Sequence, residues 1–93
     1  MAEINKEMYK LVEKAAEKNL YMDTVKDTAR FLDGFKTQKL YIIVGRYIEP
    51  KSMGIRVFIA KVAENGFVRK IIEFKPDEAK KVAELLLKAS EIE

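Results

Sequence analysis

The chain contains no cysteine, no histidine and no tryptophan, and only two prolines and four glycines. Without cysteine there is neither a disulfide framework nor a thiolate metal site. Without histidine, the commonest metal ligand and the base best matched to neutral pH are both missing. Serine occurs only at Ser52 and Ser90, with no imidazole to activate either hydroxyl. Gly45, Gly54 and Gly66 are isolated, so no glycine-rich loop cradles a phosphate. Of the carboxylates, Glu13/Glu17 and Glu78/Glu84 fall on solvated helix faces, and Glu73 is expected to pair with Arg56 or Arg69. These absences lead to the expectation of a non-enzymatic chain with no metal and no cofactor. No apolar run is long enough to cross a bilayer and no leader core opens the chain, so a cytoplasmic protein is expected.

Charge is what the chain has in abundance. Of its 93 residues 35% are charged, mostly Lys and Glu, and Gln38 is the single glutamine, a bias typical of thermophile proteins. The length fits one domain with a single core. The charge is unevenly spread. Residues 1–35 sum to −1, residues 36–75 to +6 and residues 76–93 to −2. The positive field therefore belongs to the middle of the chain and not to a tail.

That middle, Lys39 to Lys75, reads as three consecutive strands. Asn65-Gly66 lies between two runs rich in Val, Ile and Phe, the strongest short-range hairpin signal, and is read as a two-residue type I′ turn. Glu64 would then face Phe67 and Val62 would face Arg69, continuing through Ala60/Ile71 and Phe58/Glu73 to Arg56/Lys75. Pairing Glu49 with Gly54 across Pro50-Lys51-Ser52-Met53 sets the other register. Since side chains alternate between faces, one face collects Leu40, Ile42, Val44, Ile48, Ile55, Val57 and Ile59, with Ile72 and Phe74 and the facing pair Lys61/Lys70. The other collects Tyr41, Ile43, Tyr47, Arg56, Phe58, Phe67 and Arg69.

Helices flank the strands. Ile4, Met8, Leu11, Val12, Ala15 and Ala16 recur at helical spacing. A second helix is predicted from Asp23 to Asp33, with Asp23 as N-cap, a Val25/Ala29/Leu32 stripe and Gly34 as C′ residue. Residues 1–35 thus form a helical pair, 36–75 a basic sheet and 76–93 a terminal helix. Pro76-Asp77-Glu78 suits the first turn of that last helix, whose apolar arc is wider than one sheet face requires and points to a homodimer. The expected fold is α+β: two N-terminal helices, a three-stranded antiparallel meander and a C-terminal helix.

A basic sheet with interleaved rings suits single-stranded nucleic acid, because cations track phosphates and rings stack on unpaired bases. The candidate contacts are Lys39, Tyr41, Tyr47, Lys51, Arg56, Phe58, Phe67, Arg69 and Lys75. A helix-turn-helix reader in residues 1–35 is disfavoured by six basic against seven acidic residues there. A second reading stays open: the mixed face is simply buried, both faces are covered, and the chain is a protein-interaction or dimerisation module.

Strands Lys39–Glu49, Gly54–Glu64 and Phe67–Lys75, followed by Lys75-Pro76-Asp77-Glu78-Ala79, resemble the Whirly and transcriptional-positive-cofactor type of single-stranded-DNA-binding domain. The pattern is also similar to small single-stranded-DNA-binding proteins of thermophilic archaea. The resemblance covers just over half of the chain. It implies strand residues that contact single-stranded DNA more than RNA, with little sequence specificity, and terminal helices that mediate oligomerisation. The chain departs from that family in offering three strands where the unit usually has four, and in its added N-terminal helices.

Overall fold

The computed structural model describes residues 3–93. In chain order the elements are β1 (Glu3–Ile4), α1 (Lys6–Ala16), α2 (Leu20–Thr28), β2 (Ala29–Lys36), β3 (Leu40–Glu49), β4 (Gly54–Ala63), β5 (Val68–Phe74) and α3 (Pro76–Glu91). The five strands form one sheet in the order β1-β2-β3-β4-β5, with β1 parallel to β2 and every other neighbour antiparallel. The α+β class stands. The expected three-stranded meander does not, because β1 and β2 extend it to a five-stranded mixed sheet.

The error lies in the segment assigned to a second helix over Asp23 to Asp33. Asn19, not Asp23, caps α2, its Oδ1 accepting from the Met22 N–H at 3.0 Å. The helix stops at Thr28, and Ala29 is already extended at φ −60°, ψ 136°. From there Leu32 is buried and its neighbour Asp33 exposed, as successive residues of a strand are, and a ladder from Ala29 to Lys36 forms against β3 with Arg30 skipped at a register shift. Tertiary pairing overrides a helical spacing of only three residues. Gly34 is therefore a strand residue facing Ile43. A Cβ there would stand 3.0 Å from the Met8 sulfur and against the Ile42 carbonyl, so its lack of a side chain lets α1 lie close.

The β3–β4 register runs from Leu40↔Ala63 to Glu49↔Gly54, as the sequence indicates. The β4–β5 pairs from Val57↔Phe74 to Lys61↔Lys70 also follow it, and then the ladder slips. Gly66 takes φ +91°, its N–H donates to the Ala63 carbonyl, and the Ala63 N–H donates to the Phe67 carbonyl, each at 2.8 Å. Residues 64–66 thus form a three-residue loop with glycine at its positive-φ position, in place of the two-residue turn. Val62 consequently faces Val68, and Arg69 becomes the extra residue of a bulge.

Both N-terminal helices lie on one face of the sheet. Met8, Leu11, Val12 and Ala15 of α1 and Met22 and Val25 of α2 close over Leu32, Ile43, Tyr47, Phe58, Ala60 and Val62. Tyr21, Tyr47 and Phe58 meet edge to face with ring centroids 5.4–6.0 Å apart. Gly45 sits under this cluster. A Cβ there would press on the Phe58 ring and come within 2.8 Å of Leu32 Cδ2. Gly45→Ala is therefore expected to lower unfolding free energy by about 1–3 kcal/mol, the usual cost of overpacking. Urea denaturation followed by circular dichroism measures this, with a lowered midpoint and an unchanged m-value.

Candidate nucleic-acid interface

The structure does not bring the nine residues singled out in the sequence onto one surface. Tyr47 is 1% exposed and Phe58 0%, so neither ring can stack on a base; both are core beneath α1 and α2. Tyr41 is half-buried on the same side, with Lys36 Nζ 5.7 Å from its ring centroid. Arg56, also half-buried there, has its Nε 3.5 Å from Glu73 Oε1, the pairing expected for Glu73. Lys39 and Lys51 are exposed in the links between strands, and Lys75 precedes α3, its N–H donating to Glu78 Oε1 at 2.8 Å. Phe67 and Arg69 are exposed at the far end of the sheet, where the guanidinium lies 5.4 Å from the ring centroid. The bulge is responsible. Val68 takes the core-side place opposite Val62 that Arg69 would have held.

The polar residues of the covered side form a clamp. Tyr21 Oη donates to Glu73 Oε2 at 2.9 Å, and Tyr47 Oη donates to the same oxygen through a short hydrogen bond. With Arg56 on the other oxygen, Glu73 ties α2 to β3 and β4 from its place on β5. Burial and then hydrogen bonding to the carboxylate push the Tyr47 hydroxyl up to about 12. Burial and hydrogen bonds to Tyr47 and Glu73 push Tyr21 upward as well. Glu73 thus holds two tyrosine hydroxyls on one oxygen and a guanidinium beside the other.

The opposite face is open. Its residues line up across the strands in rows set by the ladder. One row is Phe31–Arg46–Val57–Phe74, the next Asp33–Val44–Ile59–Ile72, and the third Phe35–Ile42–Lys61–Lys70. Not one of these twelve side chains is buried. Phe35 is 61% exposed, and Phe67, beyond the third row, 59%. Where α3 borders this face, a groove of about 450 Å³ has Val44, Val57, Ile59 and Phe74 on its sheet wall, Val82 and Leu86 on its helix wall, and Arg46 and Lys80 at its rim. It continues past Val44, Arg46 and Val57 into a second hollow of about 500 Å³ bounded by Phe31 and Arg30.

Electrostatics single out the third row. Lys61 and Lys70 stand directly opposite each other, and like charges so placed destabilise a sheet. None of the ion pairs among the described residues involves Arg46, Lys61 or Lys70. The open face thus combines rings at its edges, an aliphatic floor and cations with no acidic partner. Sequence reasoning assigned Lys61, Lys70 and Phe74 to this face without choosing it, and missed Phe31, Phe35, Arg46 and Lys80. Phe31 and Phe35 are four residues apart, a spacing that fits a helix as well as a strand, so the sequence held no separate signal for them. No family model matches the chain, and neither a curated protein nor a solved structure is similar to it.

The tyrosine clamp predicts an alkaline limit to stability. An unfolded tyrosine ionises near its ordinary value of about 10, while folded Tyr47 holds its proton to about 12. Its contribution is fully present below pH 10 and is lost as pH rises through that window, because the unfolded state then binds fewer protons. Thermal melts between pH 9 and pH 12 should show a falling Tm, with a shallower fall in Tyr47→Phe. Equal slopes would rule the clamp out as the cause.

Proposed function

We propose that the chain binds single-stranded nucleic acid, DNA in preference to RNA, with little sequence specificity, through the open face of its sheet. The observation that carries this reading is the unneutralised Lys61–Lys70 pair, in the row that the exposed Phe35 ring begins. An anionic ligand relieves the repulsion, and exposed rings supply stacking at roughly 1–3 kcal/mol per base. Duplex DNA keeps its bases paired and stacked and gains nothing from such rings. The apolar groove along Val44, Val57, Ile59 and Phe74 offers no partner to a 2′-hydroxyl, which favours DNA. Specificity stays low because stacking accepts every base and the floor carries few hydrogen-bonding groups.

Fluorescence anisotropy with a labelled single strand and its duplex, each at several salt concentrations, tests the reading. Tighter and salt-dependent binding of the single strand is expected. Lys61→Ala with Lys70→Ala should reduce the salt slope by about 1.4, at about 0.7 per phosphate contact. Arg56→Ala, whose guanidinium is engaged by Glu73, should leave that slope alone. Equal affinity for both forms would refute a stacking site.

The second reading, an interaction module that homodimerises, is favoured by α3. None of its residues is buried, and Leu85, Leu86, Leu87 and Ile92 are 58–69% exposed. Sedimentation velocity should then report a dimer that Leu85→Glu with Leu87→Glu converts to monomer. A wild-type monomer at high concentration rejects it.

A further inference from the structure

Resting on the nucleic-acid reading above, the ladder carries a more specific consequence for the length of strand the site accepts. We propose that the open face is a two-subsite site, with stacking and phosphate contacts at each end and an aliphatic bridge between them, so that a strand must reach from one end to the other to bind well. The first subsite is the row Phe31–Arg46–Val57–Phe74, with a ring at either end and a guanidinium between. The second is the row Phe35–Ile42–Lys61–Lys70, with Phe67 and Arg69 just beyond it.

Between them the row Asp33–Val44–Ile59–Ile72 has three aliphatic side chains and no cation. Asp33, at its β2 end, is the one charged group in it. Its Oδ1 accepts from Asn5 Nδ2 at 3.0 Å and from the Gly34 N–H at 2.8 Å. A carboxylate at that end repels phosphate, which steers the backbone of the strand across β3, β4 and β5. The cations lie on those strands: Arg46 on β3, Lys61 on β4 and Lys70 on β5.

The separation of the rows follows from strand geometry. Arg46 and Ile42, Val57 and Lys61, and Phe74 and Lys70 are each four residues apart, or about 13 Å along a strand. At roughly 3.4 Å per phosphate for a helically stacked strand, and more for an extended one, about three to five nucleotides span that distance. A dinucleotide reaches one subsite only. A pentanucleotide reaches both, and its second contact forms at high effective concentration.

The test is an affinity series with oligothymidylates of two to ten nucleotides. Wild-type affinity should rise more than tenfold between two and five nucleotides, then grow only in proportion to the number of ways of binding. Arg46→Ala and, separately, Lys61→Ala with Lys70→Ala should each flatten the early rise, while Phe31→Leu should weaken the first subsite without charge change. These side chains are unburied, and circular dichroism confirms that each variant folds. Binding that grows smoothly with length, or is lost through one row alone, would overturn the two-subsite proposal and leave the nucleic-acid reading standing. No binding at any length by folded wild-type protein would remove both.

Discussion

The face of the sheet that the two short helices cover decides which strand side chains can meet a ligand. Period-two alternation divides each strand into two sets of side chains, and α1 and α2 both pack on one of them. They take the face with Tyr47 and Phe58, because the large rings fill the space beneath Met8, Val12, Met22 and Val25. The clamp of Tyr21, Tyr47 and Arg56 on Glu73 locks that choice. Once one face is spent on the core, the aliphatic set is left outward, bordered but not buried by α3.

This choice is what the residue pattern could not supply. The strand registers were legible: the β3–β4 ladder follows from the loop at Pro50, and five pairs of β4–β5 follow from Asn65-Gly66. The partition into two faces was legible too. A face that mixes rings with Arg and Lys looks like a binding surface, while a purely aliphatic one looks like core. The structure reverses that intuition for a physical reason. Tyrosine buries its ring while its hydroxyl finds a carboxylate, and Arg56 buries its stem while its head reaches the same acid.

Residues 29–36 were illegible for a different reason. Val25, Ala29 and Leu32 satisfy a helical stripe, and Gly34 satisfies a helix stop, so local rules agree on the wrong answer. Only β3, which offers an unpaired edge to them, decides otherwise. That strand then delivers Phe31 and Phe35 to the open face, which a three-stranded sheet would lack. The bulge at Arg69 works in the same direction. One residue added opposite Val62 sends Val68 into the core and leaves Arg69 beside Phe67.

The same charge pattern weighs on how two copies could meet. Apposing two open faces would bring Arg46, Lys61 and Lys70 of one against those of the other, with Asp33 the only acid among those rows. Desolvating unpaired cations of one sign costs more than the aliphatic row returns, whereas a polyanion neutralises them. The apolar residues of α3 are placed differently. Leu85 and Leu87 lie on its flanks, away from the groove that Val82 and Leu86 line. Association through those flanks would leave the groove and both cationic rows accessible. Self-association through Leu85 and Leu87 and strand binding on the sheet therefore compete for no residue, whereas an interface that also took Leu86 would draw on the groove wall.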